Sequence, residues 1–179
     1  MDWSAQLASV FRLGGGGWAR HANPISGWTR IPILPVGAAI LLAREELGIW
    51  TVPLLGLLVL WAFVNPTAFP PPADDRSWMS RAVLGEKIWV EARNGDGSAA
   101  VAEIGPATWW LNLLQFSFLF PLVWGLWLVS PVVAAFGTAG VLAGKLAFLR
   151  LMVRLYDTSG TLPPPPIAPA ARTASGAAP

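Results

Sequence analysis

Four stretches of this chain are too apolar to be left in water: Ile31–Ala43, Leu47–Val64, Thr108–Val129 and a run from Val132 to about Leu149. Lys145 is the only charged residue in any of them. In a bilayer core the backbone must satisfy its own hydrogen bonds, so such runs fold as helices. Spanning about 30 Å of hydrocarbon takes about 20 residues. The second and third runs, 18 and 22 residues long, meet that length. The first has only 13 residues, roughly 20 Å of helix. Trp28 and Thr29 can lengthen it, and Arg30 can snorkel to the headgroups. The expected fold is all-α integral membrane: four transmembrane helices, or two hairpins of membrane-embedded helices. Composition agrees, since 12% of residues are charged and 54% hydrophobic, against about 25% charged in soluble domains.

Prolines and tryptophans mark the ends of these segments. Pro32 and Pro35 suit the first turns of a helix and not its middle. Pro53 marks an early turn or a kink, and Pro121 predicts a kink in the third segment. The second segment stops at Asn65-Pro66, before Pro70-Pro71-Pro72. Trp28, Trp50, Trp61, Trp109, Trp110, Trp124 and Trp127 lie toward segment ends, where interfacial anchors belong. Arg44-Glu45-Glu46 and Ser130-Pro131 make tight connections, which pair the segments as two hairpins. Gly137, Gly140 and Gly144 punctuate the fourth segment, and a small-xxx-small face lets another helix approach closely.

The remaining chain divides into three parts. At the N-terminus, Trp3, Leu7, Val10 and Phe11 share one helical face, so residues 1–17 read as an interfacial amphipathic helix followed by a glycine joint. Asp2 and Gly14–Gly17 argue against a secretory signal. Residues 65–107 read as a cytoplasmic loop within the 18–158 membrane domain. There Asn94-Gly95-Asp96-Gly97 between I-W-V-E-A-R and A-A-V-A-E-I suggests a short β-hairpin. Residues 159–179 read as a Pro/Ala-rich extended tail, which a partner would have to order.

Charge sets the orientation. Four crossings put Arg12, Arg20, Arg30, Arg76, Arg81, Lys87, Arg93, Lys145, Arg150, Arg154 and Arg172 on one side, eleven of the twelve Lys and Arg residues. Only Arg44 is opposite. The positive-inside rule makes the rich side cytoplasmic, with both termini there. A bacterial inner or intracytoplasmic membrane is the expected location.

Few chemistries fit this residue set. The chain has no cysteine and one histidine, which rules out disulfides, thiolate metal sites and multi-histidine metal sites within it. His21 reads as a hydrogen-bonded interfacial histidine; the alternative is a single axial ligand to a haem or chlorophyll. A pI near 9.7 comes with a net charge of only +2 and no basic stripe, so nucleic acid is not an expected partner. Gly140-Val-Leu-Ala-Gly144-Lys145 is one residue short of a phosphate loop and lacks its hydroxyl. Lys145 lies about 20 Å of helix from Val132, close enough to the interface to snorkel. Glu86 is expected to pair with a basic residue.

Four blocks carry a resemblance: W-A-R-H-A-N-P-I-S-G-W-T-R at 18–30, N-P-T-A-F-P-P-P at 65–72, S-W-M-S-R-A-V-L-G-E-K-I-W at 77–89, and G-K-L-A-F-L-R-L-M-V-R-L-Y at 144–156. Their order and spacing resemble a family of small bacterial multi-pass membrane proteins that carries only a domain-of-unknown-function label. The resemblance implies a fold and no activity. It covers residues 18 to 156 and leaves out 2–17, 90–107 and the tail. The shared blocks bring together Arg20, His21, Asn23, Arg30, Asn65, Arg81, Glu86 and Lys145 as a candidate cytoplasmic-interface platform.

The functional expectation is a non-catalytic accessory subunit of a larger membrane complex, by analogy an energy-transducing one, photosynthetic or respiratory. No intrinsic cofactor is expected, though lipids, or the pigments or quinone of a partner, could touch the chain. The alternative is a small membrane enzyme or lipid-binding protein using the polar platform.

Overall fold

The computed structural model describes residues 17–94 and 99–159. The N-terminal amphipathic helix and the Pro/Ala tail expected from sequence lie outside the described residues. Within them the chain is all-helical, with four helical segments long and apolar enough to cross a membrane: Pro24–Leu42, Arg44–Ala68, Val101–Trp127 and Pro131–Thr158.

The first crossing begins earlier than its apolar run. After α1 (Gly17–His21), α2 (Pro24–Arg30) leads through a turn at Ile31 and Pro32 into α3 (Ile33–Leu42). The polar residues of α2 bond to the second crossing, so they need not face lipid. α4 (Arg44–Leu47) and a 3-10 turn, Gly48–Trp50, reverse the chain into α5 (Thr51–Ala68). Pro32 precedes the first turn of α3, and Pro35 and Pro53 sit in the first turns of α3 and α5, where no intrahelical donor is lost.

The section from 65 to 107 is not a β-hairpin. Trp78–Asn94 forms α6, and Ala99–Ser117 forms α7, which carries the third crossing. A two-stranded hairpin is marginal alone. A helix here can lay Trp89 edge-on against Phe148, with ring centroids 5.6 Å apart, and join Lys87 to Glu91 at 3.2 Å across one turn. Tertiary packing therefore overrides the local strand signal. The third crossing breaks at Phe118, three residues before Pro121, and resumes as α8 (Leu119–Trp127). Pro121 offers no N–H to the carbonyl of Ser117, and its ring crowds that group.

The spine is α9 (Pro131–Thr158), 28 residues long, roughly 42 Å at 1.5 Å per residue. That exceeds the hydrocarbon thickness by about 12 Å, so α9 is longer than one upright crossing needs. A stripe at Ala134, Gly137, Thr138, Val141, Gly144, Phe148 and Met152 is buried along its length. Toward its start, a Cβ on Gly137 would collide with the backbone of Leu122, and one on Gly125 with that of Ala134. Toward its C-terminal end, Met79 and Ala82 of α6 pack with Phe148, Leu149 and Met152 in the main core. A Cβ on Gly85 would strike the Met152 carbonyl. Glycines thus set the helix–helix distance at both ends.

Arg44 Nη1 donates to the carbonyls of Leu41 and Leu126 at 2.9 Å each. This ties the first hairpin turn to the end of α8, so both tight turns share one membrane face. The α8–α9 turn is a Schellman motif: Ser130 N–H donates to Gly125 O at 2.8 Å and Val129 N–H to Leu126 O at 3.4 Å. Its left-handed position, usually glycine, holds Val129 at φ 52°. A β-branched residue there costs about 1–2 kcal/mol. Val129→Gly is expected to raise the thermal midpoint in detergent without changing the helical circular dichroism. A lower midpoint would show that the valine side chain contributes more than its backbone strain costs.

Candidate functional site: a boundary cavity

The W-A-R-H-A-N-P-I-S-G-W-T-R block folds into a polar joint. Asn23 caps α2, its Oδ1 accepting from Ile25 N–H at 2.9 Å, while its Nδ2 donates to Pro70 O at 2.9 Å. Pro24 follows at the first helical position, where its fixed φ suits the turn. Ser26 Oγ donates to Asn65 Oδ1 at 2.7 Å, and Asn65 Nδ2 donates to Thr29 Oγ1 at 2.7 Å. Ser26 and Asn65 are both fully buried. Buried amides are costly unless bonded, and here every polar atom of the Asn65 carboxamide has a partner. The joint fixes α2 against α5 and aims Arg30 inward.

Arg30 Nε donates to Ser26 O at 3.1 Å, and its Nη1 donates to the His21 ring, 3.0 Å from Nδ1. That bond requires an imidazole nitrogen with a free lone pair. Burial above all, then the charges of Arg30 and Lys145, push the His21 imidazole down to about 3, so it is neutral near pH 7.

Beside this pair lies a cavity of about 730 Å³ between α2, α6, α7 and α9. Much of its wall is apolar: Leu34, Met79, Val83, Trp89, Leu142 and Leu149 among others. Its polar part holds His21, Arg30, Glu86, Arg93, Gln115 and Lys145. Lys145 Nζ lies 3.5 Å from Glu86 Oε1 and 5.0 Å from the centre of the Phe148 ring. Gly144 packs on Gln115, where an added Cβ would lie 2.8 Å from the glutamine Cβ. Gly144 is 13 residues along α9 from Pro131, about 20 Å, so the cavity lies along the C-terminal half of α9.

Of the eight platform residues expected from sequence, His21, Arg30, Glu86 and Lys145 line this cavity. Asn23 and Asn65 sit behind it, holding the joint. Arg20 is exposed. Arg81 belongs to a different contact, bonding Asp157 at 3.1 and 3.2 Å, near the Tyr156 hydroxyl's bond to Asp75. Gly137 faces Leu122, Gly140 faces the Phe118 ring, and Gly144 faces Gln115.

The tryptophans divide likewise. Trp50, Trp109, Trp110, Trp124 and Trp127 are exposed. Trp28 stacks on Trp78 with centroids 5.8 Å apart. Trp61 is half-buried, edge-on to Phe69.

Sequence reasoning missed Gln115, Arg93, Trp18 and Trp89 as cavity residues. Gln115 left a signal, an amide inside an apolar run. Arg93 left none, because its position over the Trp89 ring, 4.7 Å from the centroid, depends on α6 being a helix. Among the described residues no three His, Cys, Asp or Glu side chains group as a metal site.

The class is therefore an all-α membrane protein with a part-apolar, part-polar cavity between its helices. The chain belongs to a family of unknown function, DUF6653, which it matches over residues 3–177. The match reaches past the four blocks into the N-terminal stretch, residues 90–107 and most of the tail. No curated protein and no solved structure matches the chain.

His21 generates a pH dependence. Its folded value near 3 lies below the ordinary 6.5, so the unfolded chain binds the proton first as pH falls. Stability is fully present above about 6.5 and is lost progressively toward 3. Melting curves of wild type and His21→Gln from pH 7 to 5, above most carboxylate titration, should show the wild type losing more thermal stability. Parallel curves would mean the imidazole titrates normally in the folded chain.

Proposed function

We propose that this protein is a non-catalytic membrane module that binds an amphiphile in the boundary cavity. The single observation behind this reading is the cavity's two-part wall. Apolar side chains suit an acyl or isoprenoid chain, and a polar cluster suits a headgroup, at the depth where a leaflet changes from one to the other. A pocket of several hundred Å³ with a few fixed polar groups is typical of small-molecule sites.

An accessory role in a larger membrane complex is the second reading. It draws support from the second crossing, Arg44–Ala68, whose most apolar window has none of its residues buried. Val52, Leu57, Leu60 and Phe63 are exposed along it. Such a face is covered by lipid or by a neighbouring subunit.

Purification in mild detergent, with lipid extraction and mass spectrometry on the same fraction, tests both. The wild type should carry about one amphiphile per chain. Leu142→Trp, which fills the cavity, should lose it while eluting unchanged. Equal lipid content in both would sink the cavity reading, and stoichiometric recovery of a larger complex would establish the subunit reading.

The orientation belongs to the same proposal: a bacterial cytoplasmic membrane, with Arg30, Arg81 and Lys145 on the cytoplasmic side by the positive-inside rule. The chain has no cysteine, so single cysteines can be placed at will. Asp74→Cys in intact cells should resist a membrane-impermeant thiol reagent, and Glu45→Cys should react. The reverse pattern would invert the assignment.

A further inference from the structure

Resting on that reading of the cavity, we infer that the bound amphiphile is anionic, its head taking phosphate-type oxygens between Arg30 and Lys145. The charge balance of the wall carries this. Arg30, Arg93 and Lys145 bring three cations, Glu86 is the one carboxylate, and His21 is neutral.

The cations are not spent on each other's partners. Arg30 bonds only neutral groups: Ser26 O, the His21 ring and His21 O. The Arg93 guanidinium lies over the Trp89 ring, and none of the salt bridges among the described residues includes it. Lys145 and Glu86 sit 3.5 Å apart, longer than the 2.7–2.9 Å of a tight charge-assisted bond. The wall carries three cations against one carboxylate beside apolar side chains, and an anion entering with its own apolar chain balances that excess. The loose Lys145–Glu86 contact lets the ammonium turn from Glu86 to the ligand.

The test uses the full chain in a nonionic detergent, with native mass spectrometry and thermal shift. The probes are short-chain phosphatidylglycerol, phosphatidylcholine with the same acyl chains, and inorganic phosphate. Wild type should retain phosphatidylglycerol at least about tenfold better than phosphatidylcholine, with Lys145→Gln reducing that preference severalfold. Glu86→Gln, which frees Lys145, should strengthen phosphatidylglycerol retention. Lys145 is half-exposed, so its replacement leaves the fold intact, and Lys145→Arg should rescue the preference.

Equal retention of the two lipids, lost together in Leu142→Trp, would overturn the anionic inference and leave the cavity reading standing. Retention of neither would overturn both. Stabilisation by inorganic phosphate alone, abolished by Lys145→Gln, would overturn the lipid as source, leaving a free anion as the occupant.

Discussion

The close glycine contacts along α9 control this structure. α9 is longer than the hydrocarbon is thick, and it meets its neighbours nearly backbone to backbone at both ends. Within the membrane Gly125 and Gly137 draw α8 against it. Toward its C-terminal end Gly85 draws α6 onto Met152. In lipid there is little hydrophobic drive between helices, so close backbone packing has to hold them. Toward the C-terminal end of α9, Met79, Ala82, Phe148 and Leu149 add an apolar side-chain core. One helix therefore joins close glycine packing to an apolar side-chain core, and Met79 and Leu149 of that core also line the cavity.

The joint around Asn65 fixes the opposite wall. Asn65, Ser26 and Thr29 satisfy each other's side chains where α2 meets α5, and Asn23 ties the start of α2 to Pro70. The N-P-x-S-x-W-T-R pattern is thus largely scaffolding. Its Asn caps, its Pro starts the helix, its Ser and Thr bond Asn65, and only its Arg reaches the cavity. The two walls approach with unlike charges in unequal number. That imbalance, with His21 neutral beside Arg30, gives the cavity its chemical character.

Much of the fold was legible because each crossing signals its presence locally. Uncharged length, proline placement and terminal tryptophans need no knowledge of neighbours. The section from 65 to 107 was not legible in this way. I-W-V-E-A-R next to Asn94-Gly95 carries a local strand signal, and only the surface of α9 makes a helix the better arrangement. The site was partly legible. Glu86 read as half of an ion pair, but its partner Lys145 lies 59 residues away. Arg81, five residues from Glu86 in sequence, instead turns to Asp157.

The sequence by itself determined that this chain enters a membrane, how many times, and which end of the bundle holds most of the positive charge. Those properties follow from transfer free energies, which add up residue by residue along a segment. Tertiary structure alone decided which charged residues share a cavity. It also decided that the Val129 turn closes without glycine and that the Gln115 side-chain carbonyl is buried without a partner. These depend on how far apart helices pack and how they are rotated. Both are set by contacts between residues distant in the chain, such as Gly85 with Met152 and Gly144 with Gln115.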